Sequence, residues 1–287
     1  MTGTFSATGS TSAAVDPLRR ALEQALGAQY DVLSLLGRGG MGAVYLARER
    51  LLERLVAIKV LPSEHADGEG RERFLREART VAQLSHPNIV PLLSFGEMGG
   101  TLFYIMRYID GEPLERRLRR EGSLPPNDAR QILREVADAL VEAHRLGIVH
   151  RDLKPDNVMI DRLTGRPMLT DFGIARQPAG SSTLTGTGMI VGTPQYMSPE
   201  QAAGDRALDG RSDLYSLGVM GYRMMTGRLP FSGADVQELL MKQITTPAMP
   251  ITAHAPDAPM DLTDALMRCL EKDPARRFSS ALCTRGC

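Results

Sequence analysis

Short runs of alternating apolar and polar residues dominate the first part of the chain, which is the pattern of β-strands. The candidate strands are Tyr30–Leu36, Ala43–Ala47, Leu55–Leu61, a run near Val90, and Leu102–Tyr108. One helix is predicted among them over Arg71–Leu84, because its apolar residues recur at helical spacing. These patterns predict a small lobe built on a sheet with one long helix.

The pattern changes after Asp110. A long amphipathic helix is predicted over Ala129–Leu146, and short strands around Val158 and Met168 follow it. Beyond Glu200 the apolar spacing is again helical. The sequence therefore predicts an α+β fold with two lobes, a small β-rich N-lobe and a larger, mainly helical C-lobe.

The first residues differ in composition from the rest. Residues 1–14 are mostly Thr, Ser, Ala and Gly, with too little apolar surface to offset the entropy lost on ordering. A short helical pattern follows over Pro17–Leu26. We expect a flexible tail with a short helix over residues 1–27 and one domain over 28–287. Its lobes are expected at 28–108 and 109–287.

Charge and composition narrow the class of protein. Lys plus Arg and Asp plus Glu are equal at 34 each, so nothing favours a general attraction to nucleic acid. No apolar run is long enough to span a bilayer, and the N-terminus lacks a secretory signal. Cys269, Cys283 and Cys287 are interpreted as reduced thiols. We expect a cytoplasmic protein, and membrane tethering through a further C-terminal part stays open.

A glycine-rich segment follows the first predicted strand. Residues Gly37–Val44 have the pattern G-x-G-x-x-G-x-V, and glycines let a backbone approach phosphates without a Cβ clash. A tight hairpin and a dinucleotide site are the alternatives. The dinucleotide site needs a helix directly after the glycines. Here Val44–Ala47 continues as a strand, which disfavours that alternative.

An ion pair is predicted inside the small lobe. Lys59 lies in the apolar run Val56–Lys59, where an unpaired ammonium would be costly. A single lysine in a strand is more often a solvated edge residue. Glu77, however, falls on the inward face of the predicted helix. A carboxylate on that face needs a cation, and Lys59 is the candidate.

Two polar motifs complete the candidate chemistry. His150–Asn157 (HRDLKPDN) follows the long helix, and Asp171–Gly173 (DFG) follows a short strand. Each alone could be an ordinary polar loop. Together with Lys59 they supply what phosphoryl transfer needs, namely a proton acceptor, hard oxygen ligands for magnesium, and a cation for the nucleotide phosphates. Asp152 is the expected proton acceptor, and Asn157 and Asp171 are the expected metal ligands.

These motifs resemble the protein kinase superfamily, and most of all the bacterial eukaryotic-like Ser/Thr protein kinases. The resemblance is carried by Leu36–Tyr45, His86–Val90, Asp171–Arg176 and Gly192–Gln201, and it extends over roughly residues 28 to 282. It implies the bilobal kinase fold and transfer of the γ-phosphoryl of ATP to Ser/Thr hydroxyls of proteins, with Mg²⁺ or Mn²⁺ as cofactor. The implied catalytic residues are Asp152, Lys154, Asn157, Lys59 and Glu77.

The resemblance also implies a nucleotide site between the lobes. Its residues would be Leu36, Gly37, Arg38, Gly39, Gly40, Met41, Gly42, Val44, Ala57, Lys59, Met106, Arg107, Ile109, Met159 and Asp171. Met106 matches the gatekeeper position at the back of the pocket. The backbone of Arg107 and Ile109 would hydrogen-bond the adenine edge.

Structural roles are implied in the large lobe. Glu200 would pair with Arg277, and Asp213 would support the backbone of the catalytic loop. Thr193 would contact Lys154 by hydrogen bond, which is typical of the Ser/Thr branch. An apolar column between the lobes would consist of Val81, His150 and Phe172.

Three features depart from the family pattern. Arg107 stands where kinases often have Glu, and Ser198 replaces the Ala of the A-P-E segment. The final helix of the family should begin near Phe278, but the chain stops at Cys287, so we expect a shortened last helix.

Regulation and alternatives complete the expectations. Thr185 and Thr187 have the T-x-T spacing of the autophosphorylated pair in the resembling kinases, and Arg151 supplies a guanidinium where a phosphate could dock. A homodimer would serve trans-autophosphorylation.

A small-molecule phosphotransferase is one alternative function, although it would not be expected to carry the segment from Gly192 to Glu200. A pseudokinase scaffold is the other, but it would usually lack Lys59, Asp152 or Asp171.

Overall fold

The computed structural model describes residues 16–39, 42–61, 68–172, 193–205 and 207–281. Five antiparallel strands form the sheet of the small lobe, in the order β1-β2-β3-β5-β4. They are β1 (Tyr30–Gly39), β2 (Gly42–Glu49), β3 (Arg54–Val60), β4 (Leu92–Met98) and β5 (Thr101–Arg107). The run predicted near Val90 begins later, at Leu92. Val90 itself donates its backbone N–H to Leu169 of the large lobe at 2.9 Å, so it joins the two lobes.

Alternation along the strands separates two apolar faces. In β3 and β5 the side chains of Ile58, Val60 and Ile105 pack on one face, together with the helix α1 (Pro17–Leu26). Lys59 and Tyr104 are directly paired between the strands and share the opposite face, because side chains alternate with a period of two. We call these the outer face and the cleft face.

Both helices of the small lobe pack on its sheet or against the large lobe. The predicted helix Pro17–Leu26 is confirmed as α1, and its Leu22 is fully buried on the outer face. Helix α2 (Gly68–Val81) ends three residues before the predicted end at Leu84. Its buried side chains, including Phe74 and Ala78, belong to the cluster that continues into the large lobe.

Helices dominate the large lobe, and α6 is its central element. The helices are α3 (Leu114–Glu121), α4 (Pro126–Arg145), α5 (Pro199–Ala202), α6 (Gly210–Thr226), α7 (Val236–Thr245) and α8 (Met260–Cys269). Helix α6 is buried along almost its whole length, begins at the capping side chain of Asp209, and ends at Gly227 in the left-handed conformation. Such a helix is a rigid base for the loops that pack on it.

A small second sheet lies next to the catalytic loop. It contains β6 (Gly111–Pro113), β7 (Val158–Asp161) and β8 (Pro167–Leu169), in that order. Strand β7 follows Asn157 directly, and β8 ends two residues before Asp171. The β7–β8 hairpin therefore brings both polar motifs to one place.

The α+β fold with two lobes is confirmed. Within the described ranges, no helix is long and apolar enough to cross a membrane.

Candidate active site

The catalytic loop is held by a buried carboxylate of α6. Asp213 accepts hydrogen bonds from the backbone N–H groups of His150 (2.8 Å) and Arg151 (2.9 Å). The ring Nε2 of His144 lies 2.8 Å from the same carboxylate. Asp213 is 1% exposed, so these partners satisfy a charge that would otherwise be costly to bury. The role expected for Asp213 matches this geometry.

His150 links the two polar motifs as a neutral ring. Its Nε2 lies 2.9 Å from the carbonyl of Thr170, which can only accept, so Nε2 carries the proton. Its Nδ1 then accepts from the backbone N–H of Asp152 at 3.3 Å. Burial lowers the pKa of His150, which favours the uncharged form. The ring packs 4.7 Å from that of Phe172, as expected for the column, and Val81 belongs to the same buried cluster.

Two side chains, those of Asn157 and Lys154, contact the carboxylate of Asp152. The Nδ2 of Asn157 donates to Asp152 Oδ2 (3.2 Å) and to the Asp152 carbonyl (2.8 Å). The ammonium of Lys154 lies 3.1 Å from the same Oδ2 and donates to the hydroxyl of Thr193 at 3.0 Å. The structure thus brings together the three loop residues Asp152, Lys154 and Asn157, and it places Thr193 next to Lys154. Lys154 connects the predicted proton acceptor to the segment expected to dock a peptide.

Lys59, on the cleft face of β3, contacts Asp171 of the DFG motif. Its ammonium lies 2.8 Å from Asp171 Oδ1, and the Tyr104 hydroxyl donates to that oxygen at 2.6 Å. Burial alone would raise the pKa of Asp171, but these two contacts outweigh it and the pKa is lowered. Asp171 is therefore ionised. The sequence reasoning missed Tyr104. Its position two residues before Met106 places it on the same cleft face, which could have indicated a role in the site.

The predicted pair between Lys59 and Glu77 is not formed in this structure. Among the described residues, the ion-pair partner of Lys59 is Asp171, and Glu77 has no ion pair. Its Oε2 is buried without a hydrogen-bond partner. Burial raises the pKa of Glu77 to about 7, against the weaker opposing effects of Arg73 and Arg151. The expected pair is therefore absent from this structure, in which the Lys59 ammonium contacts Asp171 instead.

Apolar side chains lie together at the place where the sequence predicts an adenine site. Ala57 is buried and pairs with Met106 across β3 and β5, while Leu36 is 46% exposed at the edge of the cleft. Met106 and Met159 pack on the cluster that contains Ile109. The backbone N–H of Arg107 donates to the Pro91 carbonyl at 3.1 Å, so that donor is already used within the protein.

The glycine-rich hairpin has room where a phosphate would come. A Cβ added to Gly37 or Gly39 would have no atom within 4 Å, so the backbone there faces open space. At Gly42 the reason for glycine is different, because φ is +107° and a Cβ would lie 1.9 Å from the Val60 carbonyl. Gly40 and Met41 lie outside the described residues, and so do Gly173 and the predicted phosphosites Thr185 and Thr187.

Below the catalytic loop, Glu200 and Arg277 form the expected pair. The two guanidinium nitrogens donate to Glu200 Oε1 (2.7 Å) and Oε2 (2.9 Å). Ser198 also has a structural reason, since its side chain caps α5 at Gln201. The Gln201 amide in turn donates to the carbonyl of Arg151 at 2.9 Å. The sequence reasoning missed Gln201, which a capping-box spacing from Ser198 could have identified.

The donor set fits a hard divalent cation. Asn157 uses its amide nitrogen toward Asp152, which leaves its carbonyl oxygen for a metal, and Asp171 supplies an ionised carboxylate. Within the described residues, no group of three His, Cys, Asp or Glu side chains could hold a metal by itself. A cation here would therefore need further oxygens, such as those of a nucleotide.

Comparison with known proteins identifies the family. The protein kinase domain family matches residues 30–285. The chain belongs to this family. This kinase domain is 42% identical over 263 residues to the serine/threonine-protein kinase pkn2 of Myxococcus xanthus, covering 89% of the chain. It is 37% identical over 254 residues (88% of the chain) to PrkC of Bacillus subtilis, and 42% identical over 261 residues (89%) to PknA of Mycobacterium tuberculosis.

The relatives are longer than this kinase domain. The matched region makes up 31% of pkn2, 39% of PrkC and 59% of PknA. The similarity therefore concerns the catalytic domain of these proteins. It confirms the family predicted from the motifs and the bilobal fold that the family implies.

Proposed function

We propose that this kinase domain transfers the γ-phosphoryl of ATP to Ser and Thr hydroxyls of proteins. The observation that carries the proposal is the arrangement around Asp152, whose carboxylate is held by Asn157 and Lys154 while Lys154 also contacts Thr193. A hydroxyl that reaches Asp152 from the side of Thr193 would be close to both a base and a cation. The names of the relatives support the same reaction.

Each residue has a task in this reaction. The substrate oxygen attacks the γ-phosphorus, the bond to the leaving ADP oxygen breaks, and the hydroxyl proton passes to Asp152. Lys154 would offset negative charge beside the attacking oxygen. Lys59 would leave Asp171 to contact the phosphates of ATP, and Glu77 would then take over its ammonium.

Mg²⁺ or Mn²⁺ would be held by Asn157 and Asp171. The cation would neutralise phosphate charge during transfer, and the triphosphate would complete its coordination. We expect activity to disappear in excess EDTA and to return when Mg²⁺ or Mn²⁺ is added. Activity that persists in EDTA would contradict this assignment.

Transfer to protein can be separated from the alternatives in one assay. The domain is incubated with Mg-ATP and a generic protein substrate, and phosphosites are mapped by mass spectrometry. Phosphoserine or phosphothreonine on the protein, absent with the Asp152→Asn variant, supports the proposal. Nucleotide binding without any transfer would indicate a scaffold. Transfer to a small molecule alone would indicate the other phosphotransferase class.

Autophosphorylation of Thr185 and Thr187 is proposed as the activating step. Arg151 precedes Asp152 and has φ +63°, a constrained backbone position, and its guanidinium is the group proposed to bind the phosphates. Thr193 is not included, because its hydroxyl already accepts from Lys154. We expect Thr185→Ala/Thr187→Ala to lower the rate, with a homodimer as the species that reacts in trans. A double variant as fast as the parent, or threonines that stay unmodified, would exclude this step.

A cytoplasmic location is proposed from the cysteine usage. The chain has three cysteines and Cys269 is buried, which is compatible with a reducing compartment such as the cytoplasm. Cell fractionation tests this directly, and recovery in the membrane fraction would point to tethering through a further part of the protein.

A further inference from the structure

Helix α1 precedes the region expected to form the kinase domain, yet it is attached to the sheet. Leu22 is fully buried on the outer face, and Leu18, Ala21 and Leu26 pack beside it. The guanidinium of Arg19 also donates to the Val32 carbonyl at 3.0 Å. The helix is therefore fixed along β1, the strand that leads into the glycine-rich hairpin.

The N-terminal residue of this attachment is Asp16, and its carboxylate has three donors. Oδ1 accepts from the backbone N–H of Leu18 at 3.1 Å and so caps the helix. Oδ2 accepts from the hydroxyl of Tyr45 at 2.6 Å and from the guanidinium of Arg38 at 2.5 Å. Arg38 also donates to the Tyr45 hydroxyl at 3.3 Å. The three side chains thus form a closed set, which we call the Asp16 cluster.

Both partners of Asp16 belong to the nucleotide hairpin. Arg38 lies between Gly37 and Gly39 on β1, at the end where backbone faces open space. Tyr45 is on β2 and is 1% exposed on the outer face. Because side chains alternate along a strand, its neighbour Val44 lies on the cleft face, where adenine is expected. The Asp16 cluster therefore holds the hairpin from the side opposite the nucleotide.

We propose that Asp16 is a positioning residue for nucleotide binding, which acts through Arg38 and Tyr45 on the strands of the glycine-rich hairpin. The inference rests on the proposed ATP-dependent function. A hairpin that is already fixed loses less conformational freedom when phosphates bind, so the cluster raises affinity for ATP without touching it. The protein substrate meets other residues, so its binding does not change.

Charge and burial both contribute to the cluster. The Asp16–Arg38 pair is partly exposed, with 23% and 51% of the side chains accessible, and such pairs contribute little alone. The hydroxyl of Tyr45 is the buried member. Its hydrogen bond is the largest of the effects that lower the pKa of Asp16, which keeps the carboxylate charged. We therefore expect the hairpin to be fully held only when the side chains of Asp16, Arg38 and Tyr45 are all present.

A purely structural role is the competing explanation. Helix α1 covers apolar side chains on the outer face, and losing that cover would destabilise the small lobe. The two roles separate when the carboxylate is changed without losing the helix. Asn is an N-cap residue as good as Asp, so Asp16→Asn retains the cap at Leu18 while it removes the charge that faces Arg38. Tyr45→Phe removes the hydroxyl and keeps the ring.

The matched control is Glu23→Gln. It removes one carboxylate from the same helix, where Glu23 pairs with Arg19 at 2.8 Å on the exposed side. The parent, Asp16→Asn, Tyr45→Phe and Glu23→Gln are compared in four measurements. These are the dissociation constant of ATP measured directly, KM for ATP, KM for a peptide substrate, and Tm without nucleotide.

We expect Asp16→Asn and Tyr45→Phe each to weaken ATP binding and raise KM for ATP by about three- to tenfold, the effect of losing one charge-assisted hydrogen bond. KM for the peptide and Tm should stay close to the parent, and Glu23→Gln should match the parent throughout. Unchanged ATP affinity in both cluster variants overturns the inference. A lowered Tm with equal losses for ATP and peptide also overturns it, in favour of the structural role. A parent that does not bind ATP would instead refute the proposed function.

Discussion

Two half-buried glutamates, Glu200 in the large lobe and Glu77 in the small lobe, have opposite electrostatic surroundings. Burial would raise the pKa of both, but at Glu200 the bidentate contact with Arg277 outweighs it and the pKa is lowered. At Glu77 nothing comparable opposes burial, and the pKa is raised to about 7. The same type of side chain thus has a bidentate ion pair in the large lobe, whereas in the small lobe its buried oxygen has no hydrogen-bond partner.

The two halves of the site differ in how many of their catalytic contacts are already formed. Beneath the cleft, Asp213, Asp152 and Glu200 all have short contacts to cations or backbone donors. Above it, Lys59 is held by Asp171 while Glu77 has no ion pair among the described residues. Catalysis in this family needs the lysine–glutamate pair and a free metal-ligand aspartate. We infer that the described contacts of the catalytic loop are already those needed for catalysis, whereas the contacts of Lys59 and Glu77 must change.

The largest expected effect tests the large lobe. Asp152→Asn should lower phosphoryl transfer by about a thousandfold or more, because an amide cannot accept the hydroxyl proton. ATP affinity should stay within a few-fold, since Asp152 does not belong to the nucleotide site. Kinase assays and direct ATP binding measure the two effects. Asp161→Asn, an exposed turn carboxylate that accepts from Thr164, is the control and should behave as the parent.

Wild-type-like turnover in Asp152→Asn would contradict the assignment. A large loss of ATP affinity in the same variant would mean that nucleotide binding depends on the catalytic loop.

The second prediction applies one chemical change to both glutamates. Glu200→Gln should destabilise the protein by about 3 kcal/mol, because it leaves the fully buried Arg277 guanidinium without its counter-charge. Glu77→Gln should be neutral or slightly stabilising at neutral pH, since it removes a half-buried carboxylate that has no ion pair among the described residues. Denaturant unfolding of both variants without nucleotide measures the difference. Equal losses of stability would remove the contrast between the two lobes.

The sequence predicted the large-lobe contacts better than those of the small lobe, for a physical reason. The Glu200–Arg277 pair and the Lys154–Thr193 contact were implied by the resemblance to protein kinases, and both are present in the structure. The partner of Lys59 depends on how α2 sits relative to the sheet, which no local pattern specifies. Helical spacing placed Glu77 on the inward face correctly, but it could not say which carboxylate would reach the lysine.

The contacts of Asp16 on the outer face were not predicted from the sequence either. Helix α1 was predicted, but its attachment depends on Tyr45 and Arg38, which are far from Asp16 in sequence. The alternation of β2 placed Tyr45 opposite to Val44, so its face could be predicted. Its partner could not, because only the folded chain brings Asp16 to that face.

The third prediction concerns coupling between the two halves of the small lobe. Lys59→Met and Glu77→Gln should each weaken activity, and together they should cost less than the sum, with a coupling energy of about 1 kcal/mol. Without nucleotide the stability effects should instead add, because the two side chains are not in contact there. The double-mutant cycle is therefore measured twice, once on kcat/KM and once on unfolding.

Additive effects on kcat/KM would mean that the pair does not form during turnover. Coupling in the unliganded protein would mean that the pair already exists in solution, and the small lobe would then need no rearrangement.

The smallest expected effect is a pH dependence. Glu77 has its pKa raised from 4.5 to about 7 by burial, so between these values the folded protein keeps a proton that the unfolded chain releases. The stability contributed by this proton is complete below the unfolded pKa and is lost as pH rises through the folded one. The Tm of the parent should therefore fall relative to that of Glu77→Gln between about pH 5 and about pH 8. The difference between the two curves isolates this group, since every other titrating residue is shared. If Glu77 were paired with Lys59 in solution, its pKa would be low, and the variant would be less stable than the parent by the same amount at both ends of the range. The sign and slope of that difference thus report, without ATP or metal, which partner Lys59 has.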